Sequence, residues 1–136
     1  KKMTKGRGYP IISVISAITA VGFLIFPFVA PARYIGEIKE TVGFDIQRAK
    51  DAVMAGDMIS AENSIEKIYV EFQRKQHNLK LMCHHDNIDE MEKSLNCCRD
   101  LVRLEQSDNL ICELNQLQQV LEHMASVENA DIYEVF

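Results

Sequence analysis

Apolar residues recur every three or four positions along the chain after residue 33. That spacing places them on one face of an α-helix, so the pattern predicts amphipathic helices. Helices are predicted over roughly 33–55, 58–82, 87–105 and 109–128. No stretch alternates between apolar and polar residues as a strand does. We therefore expect an all-α domain, folded either as an antiparallel four-helix bundle or as two stacked helical hairpins.

Each predicted helix carries one stripe of apolar residues that is expected to face the core. Burying one large aliphatic side chain contributes about 1.5–3 kcal/mol to stability, so these stripes are expected to hold the helices together. The predicted core positions are Ile35, Ile38, Val42, Ile46, Ala49 and Val53 in helix 1, Ala61, Ile65, Ile68, Phe72 and Leu79 in helix 2, Ile88, Met91, Leu95, Cys98 and Val102 in helix 3, and Leu110, Leu114, Leu117, Leu121 and Met124 in helix 4.

Residues with turn and capping preferences separate the predicted helices. Gly56 is expected to end helix 1, and Asp57 to cap helix 2. Asn87 is expected to cap helix 3, with Glu90 three residues later completing a pair like a capping box. Asp108 is expected to cap helix 4. Because Asp57 and Asp108 follow comparable helices, the stretches DAVMAGD and DLVRLEQSD indicate a weak internal repeat.

Residues 11–30 read IISVISAITAVGFLIFPFVA and carry no charged side chain. At about 1.5 Å per residue they would form a helix about 30 Å long, which matches the hydrocarbon core of a bilayer. Pro27 and Pro31 are expected to kink or end this helix. We therefore predict a transmembrane anchor over residues 11–31.

A cleaved signal peptide is the alternative interpretation of the same segment. Residues 30–32 read APA, a small-x-small pattern that would permit cleavage after Ala32. The apolar stretch of a signal peptide is typically only about 7–15 residues long. The run in this chain is longer, so the anchor is the preferred interpretation.

Charge is distributed unevenly along the chain. Residues 1–10 contain no acidic residue and four basic ones, Lys1, Lys2, Lys5 and Arg7. Basic residues beside a membrane span remain in the cytoplasm, so residues 1–10 are predicted to be a cytoplasmic tail. The helical domain over residues 33–136 would then be extracytoplasmic.

The composition excludes several classes of function. The net charge is −5, and no Lys or Arg follows Arg103. Nucleic-acid binding needs a basic surface, so we expect no nucleic-acid partner. The chain also has no Gly-rich phosphate loop and no G-x-S-x-G motif. We therefore expect neither an enzyme nor a bound cofactor.

The stretch CHHDN, residues 83–87, contains residue types that bind zinc. Cys83 and His85 could converge with Asp86 or Asp89, but a tetrahedral site needs three or four ligands. Adjacent histidines such as His84 and His85 point in different directions on most backbones, and no C-x-x-C motif supports them. The preferred interpretation is structural, with no metal and with the ring of His85 packed against the hairpin junction, bonding a backbone carbonyl.

The four cysteines are Cys83, Cys97, Cys98 and Cys112. Their spacing fits no metal-binding module. Cys98 falls in the buried stripe of helix 3, whereas Cys112 is nearly opposite the apolar stripe of helix 4 and should be exposed. Free thiols are the preferred interpretation, and an intramolecular or intermolecular disulfide is the alternative in an extracytoplasmic domain.

The polar face of helix 4 carries amides where solvated helices usually carry Lys and Glu. Amides cost less to desolvate than charges, so this face is a candidate contact surface. The apolar tail ADIYEVF is expected to pack back on the bundle beside it. The predicted interaction face comprises Asn115, Gln116, Gln119 and Glu122, with Ile132, Val135 and Phe136 from the tail.

The order of these features resembles a known family. The chain has a basic N-terminus, one apolar span, an acidic helical hairpin, a connector ending in HDNIDEME, and a last helix with VLEHM at 120–124 before DIYEVF. It resembles, over nearly its whole length, the domain-of-unknown-function 4363 family, which comprises small membrane-anchored helical proteins of Firmicutes. Its most specific positions are His85, Ile88 and Asp89. The chain departs from the family pattern at Met58 and Phe72, where Trp is often expected, and in its cysteines.

The resemblance implies no established activity. It implies a spore-forming or related anaerobic Gram-positive source, and a gene beside those of other uncharacterised membrane proteins. Together with the sequence, it favours a single-pass membrane protein whose domain docks on another membrane protein or on itself. The alternative is an extracytoplasmic sensor that binds a small ligand or metal within the bundle, near Cys83, His84, His85 and Asp89.

Overall fold

The computed structural model describes the backbone of residues 9–135 and the side chains of residues 11–25, 30 and 32–127. This part of the chain forms four α-helices and no strand. The helices are α1 (Tyr9–Met54), α2 (Met58–Met82), α3 (His85–Arg103) and α4 (Ser107–Val135). Each helix contacts the next, and α4 closes the ring by contacting α1. The predicted all-α fold is confirmed, and the closed ring has the arrangement of a four-helix bundle.

The core contains every position that the apolar periodicity predicts. All of the predicted stripe residues are buried, and Val120 and Ala125 of α4 join them in one continuous cluster. The two added residues flank the predicted stripe of α4, because a core-facing helix buries an arc wider than a single row. Within the described residues, no buried side-chain nitrogen or oxygen lacks a hydrogen-bond partner.

The first helix is longer than the sequence predicts. Of the predicted kink or end at Pro27 and Pro31, the end is wrong, because α1 continues through both positions for 46 residues. Each proline removes one backbone donor from the helix, whereas the non-proline residues around it keep theirs. The apolar segment and the first helix of the bundle are therefore one continuous element.

The structure also bears on the predicted anchor. In the part of the chain whose side chains are described, which excludes residues 26–29 and 31, no helix is long and apolar enough to cross a membrane.

Helices α1 and α3 end in the same backbone motif. After α1, Gly56 has a φ of 75° and donates its N–H to Val53, while Asp57 donates to Ala52. After α3, the same pair of bonds runs from Glu105 to Val102 and from Gln106 to Leu101. This is the Schellman motif, which needs a residue in the left-handed conformation. Glycine fills that position in the first turn, whereas Glu105 fills it in the second with a φ of 54°.

The predicted helix starts are partly right. Asp57 caps α2 as predicted, accepting a 3.0 Å hydrogen bond from the N–H of Ser60. Asp108 does not cap α4, because the Schellman motif ends at Gln106 and the helix begins at Ser107. Asp108 instead lies in the first turn, where its charge favours the positive end of the helix dipole.

The end of α4 also differs from the prediction. The helix does not stop near residue 128 to leave a separate tail, but continues to Val135. The tail sequence has no glycine or proline to end a helix, and its alanine and glutamate favour helix. The predicted packing of the tail on the bundle concerns side chains outside the described residues.

Polar contacts join each helix to its neighbours in the ring. The buried carboxylate of Asp45 on α1 accepts a 2.9 Å bond from Lys67 on α2. Glu66 of α2 binds Arg99 of α3 at 2.7 Å. The ring closes through Ser94, which donates to Glu113 at 2.6 Å between α3 and α4, and through a bond that joins α4 to Lys50 of α1. These contacts fix which helices are neighbours and in what register they pack.

The α1–α2 interface has a second charged group near the point where α1 enters the bundle. Glu71 of α2 binds Arg74 and Lys75, each at 2.8 Å. Hydrogen bonds from these two residues lower the pKa of Glu71 to about 2. The ammonium of Lys75 in turn lies 5.7 Å from the ring centre of Tyr34 on α1. Lys75 therefore links the two helices at this level by charge and by contact with the ring.

The two Schellman turns predict opposite effects of substitution. Gly56→Ala should lower the free energy of unfolding by about 1 kcal/mol, because alanine is strained at positive φ. A Cβ at position 56 would meet no atom within 4 Å, so the loss would come from the backbone alone. Glu105→Gly should instead raise stability, by up to about 1 kcal/mol, by relieving the same strain.

Chemical denaturation of the two variants beside the unsubstituted chain measures both effects. A stabilising Gly56→Ala, or a destabilising Glu105→Gly, would contradict the conformation of these turns.

Candidate interaction face

The outward side of α4 carries the predicted amide residues. Because Leu114, Leu117 and Leu121 face the core, the helical period turns Asn115, Gln116 and Gln119 toward solvent. These amides line an open groove of about 510 Å³ between α4 and α3. Its other lining residues are Glu90, Cys112, Val120 and His123.

The groove amides differ from the neighbouring amide Gln118 in their hydrogen bonding. Within the part of the chain that the structure describes, Asn115, Gln116 and Gln119 bond to no other side chain. Their neighbour Gln118 instead accepts from Lys50 and donates to Glu122 at 3.1 Å. The three groove amides therefore keep their donors and acceptors available for another molecule.

Glu122 belongs to a different side of α4 from the groove amides. With Gln118 and Leu121 it lines a second groove, of about 390 Å³, against Gly36 and Gly43 of α1. The structure thus divides the predicted face, with three amides beside α3 and Glu122 beside α1. Glu122 is already bonded to Gln118, so it is less available than the amides.

The remaining predicted residues of the face lie at the end of the chain. Ile132 and Val135 belong to the last turns of α4, but their side chains are outside the described residues. Phe136 is outside the described residues entirely. The structure therefore neither joins them to the groove nor separates them from it.

The sequence contained a signal for two residues of the groove that were not predicted to belong to it. Cys112, Gln116, Gln119 and His123 follow one another at steps of four, three and four residues, which is one stripe of a helix. The period therefore placed Cys112 and His123 beside the amides. Glu90 comes from α3, and only the packing of the two helices brings it there.

The connector between α2 and α3 differs from its predicted form. His84, not Asn87, occupies the N-cap of α3, and its side chain makes no capping bond. The helix begins at His85, two residues before the predicted start. His85 is exposed and bonds no backbone carbonyl among the described residues, so its predicted packing is wrong. An exposed turn leaves both imidazoles to water.

The candidate metal ligands of the sequence do not form a ligand cluster among the described residues. His85 and Asp89 are exposed, whereas Cys83 packs against the core. Among the described residues, no group of three or more His, Cys, Asp or Glu side chains is placed to hold a metal ion.

Cys97, Cys98 and Cys112 are free thiols in different environments. Cys98 is buried as predicted, and burial raises the pKa of its thiol to about 12. Partial burial is the main cause that raises the pKa of Cys97, and the nearby carboxylate of Glu113 is the second. Cys112 is exposed as predicted and lies in the groove. A raised pKa lowers the fraction of the reactive thiolate, so Cys97 and Cys98 are protected from modification. Cys112 remains accessible to solvent.

These features define a small all-α protein. Residues 29–135 match the family described as Domain of unknown function (DUF4363), and the chain belongs to that family, as its sequence motifs predict. No curated protein and no solved structure matches the chain.

The cysteine environments predict an order of thiol reactivity. In the native chain at neutral pH, a maleimide should modify Cys112 fastest, Cys97 more slowly, and Cys98 only after unfolding. Peptide mass spectrometry after timed labelling measures the three rates. A Cys112→Ser variant is the control, because it should lose the fast phase and retain the slow ones. Fast modification of native Cys98 would contradict the packing of α3.

Proposed function

We propose that this chain is a non-enzymatic interaction module held at the cell membrane. Residues 11–31 insert in the bilayer, the basic residues before them remain in the cytoplasm, and residues 33–136 are extracytoplasmic. The groove amides of α4 dock on another membrane protein or on a second copy of the chain. Membership of a family of unknown function is compatible with this role but does not define it.

The side chains of the apolar segment support insertion in the bilayer. From Ile11 to Ile25, every large apolar side chain is at least 40% exposed, and Phe23 is 80% exposed. These positions cover all sides of the helix, whereas a helix on a protein surface exposes a polar face. Lipid would remove this area from water without any contact within the chain.

The observation that carries the docking proposal is the groove on α4. Three exposed amides converge there with unused hydrogen-bonding groups, whereas Glu66, Glu71 and Asp45 on α1 and α2 are bonded within the chain. Interface rims commonly use neutral polar groups of this kind. Confinement to a membrane raises the local concentration of both partners, so a modest interface suffices.

Site-specific photocrosslinking tests the position of the docking surface. A photoreactive residue at Gln116 should give one discrete adduct in native membranes, because Gln116 lines the groove. Asn63 is the matched control, since it is also an exposed amide but lies on α2, which does not touch α4. Equal adducts at both positions, or none at Gln116, would contradict docking through α4.

A further inference from the structure

The α2–α3 turn, residues 80–86, joins the end of α2 to the start of α3 and exposes apolar side chains. Leu81 is 75% exposed and the adjacent Met82 is 36% exposed. Leu79, two residues before Leu81, is buried. An exposed leucine is not unusual by itself. The opposite end of the bundle also exposes Met54, Ile59 and Leu104. Exposure alone therefore does not distinguish the α2–α3 turn from the opposite end of the bundle. The two ends differ in which part of α1 lies beside them.

Two contacts fix the level of this turn against α1. Lys67 of α2 bonds to Asp45, and Lys75 lies over the ring of Tyr34. Met82 is fifteen residues beyond Lys67 and seven beyond Lys75. Because antiparallel helices rise equally, about 1.5 Å per residue, the same steps back along α1 reach residues 30 and 27. The turn is therefore level with the carboxyl end of the apolar segment.

We propose that the α2–α3 turn is a second membrane contact, in which Leu81 and Met82 enter the boundary between phospholipid headgroups and acyl chains. This inference rests on the proposed function, because it requires residues 11–31 to be in the bilayer. With those residues spanning the hydrocarbon core, its outer boundary falls near residue 31, within about one helical turn of the level of the α2–α3 turn. The turn is held at that boundary by the packing of α2 on α1.

The charges around the turn suit this location. Lys80 precedes the two apolar residues, and Arg33 of α1 is exposed just beyond the boundary level. Lysine and arginine at this depth bind phosphate groups of lipids. Asp86 is exposed on the same turn and opposes them. The apolar side chains therefore carry the contact, and phosphatidylcholine suffices as the lipid.

The contact would orient the bundle as well as tether it. A single helix allows the domain to tilt and rotate freely, whereas two contacts on different helices restrict both motions. The groove on α4 would then face sideways along the membrane, where a neighbouring membrane protein could reach it.

Tryptophan fluorescence tests the inference directly, because the chain contains no tryptophan. Three full-length variants are compared in phosphatidylcholine vesicles, with and without phosphatidylcholine brominated near the top of its acyl chains. Leu81→Trp reports on the turn, and Phe23→Trp reports on the anchor. Ile59→Trp is the matched control, since Ile59 is also on α2 and also 75% exposed, but lies at the opposite end.

Brominated lipid should quench Leu81→Trp several-fold more strongly than Ile59→Trp, with a blue-shifted emission. Quenching of Phe23→Trp without quenching of Leu81→Trp would overturn the second contact and leave the anchor intact. No quenching of Phe23→Trp would overturn the proposed anchor, and the second contact with it. Equal quenching of Leu81→Trp and Ile59→Trp would also overturn the second contact. Circular dichroism of each variant confirms that the bundle is folded.

Discussion

The structure depends on α1 being one helix with two different surroundings. From Ile35 onward it buries one apolar stripe against α2 and α4, as an amphipathic helix does. From Ile11 to Ile25 its large apolar side chains are exposed on all sides. Because no turn separates the two parts, the direction of the apolar segment sets the direction of the bundle. Whatever surrounds the apolar segment therefore always lies against the same end of the bundle.

The bundle is held in register by its core and by single polar contacts at each interface. The apolar stripes supply the stabilising burial, but burial is non-directional and permits neighbouring registers. The buried Asp45 with Lys67, and Glu66 with Arg99, favour one register because a shift would leave charges unpaired. Breaking such a pair costs more than its net contribution, so these contacts act mainly on specificity.

Much of the fold could be predicted because its helices are strongly periodic. The burial of residues such as Ile65, Leu95 and Leu117 follows from spacing alone. The errors fall where tertiary geometry overrides local preference. Asn87 is a good cap by residue type, but the chain path makes His84 the cap. A proline inside a helix commonly kinks or ends it, yet α1 continues through Pro27 and Pro31.

The candidate site was less predictable than the fold. The composition of α4 indicated Asn115, Gln116 and Gln119, and the structure brings them together in one groove. Their free hydrogen-bonding capacity could not be read from the sequence, since Gln118 has the same chemistry and is already bonded to Lys50. The contribution of Glu90 depends on the packing of α3 on α4. Only three-dimensional contacts separate available amides from those used within the chain.

The central claim, that the chain is a docking module at the membrane, is tested most directly by quantitative co-purification from native membranes. The chain carries a tag at its N-terminus and is extracted in mild detergent. The account predicts a stoichiometric membrane-protein partner or a dimer of the chain, in either case lost when Gln116 is replaced by arginine but retained in Asn63→Arg. Recovery of a lone monomer, or equal loss with both substitutions, would contradict it.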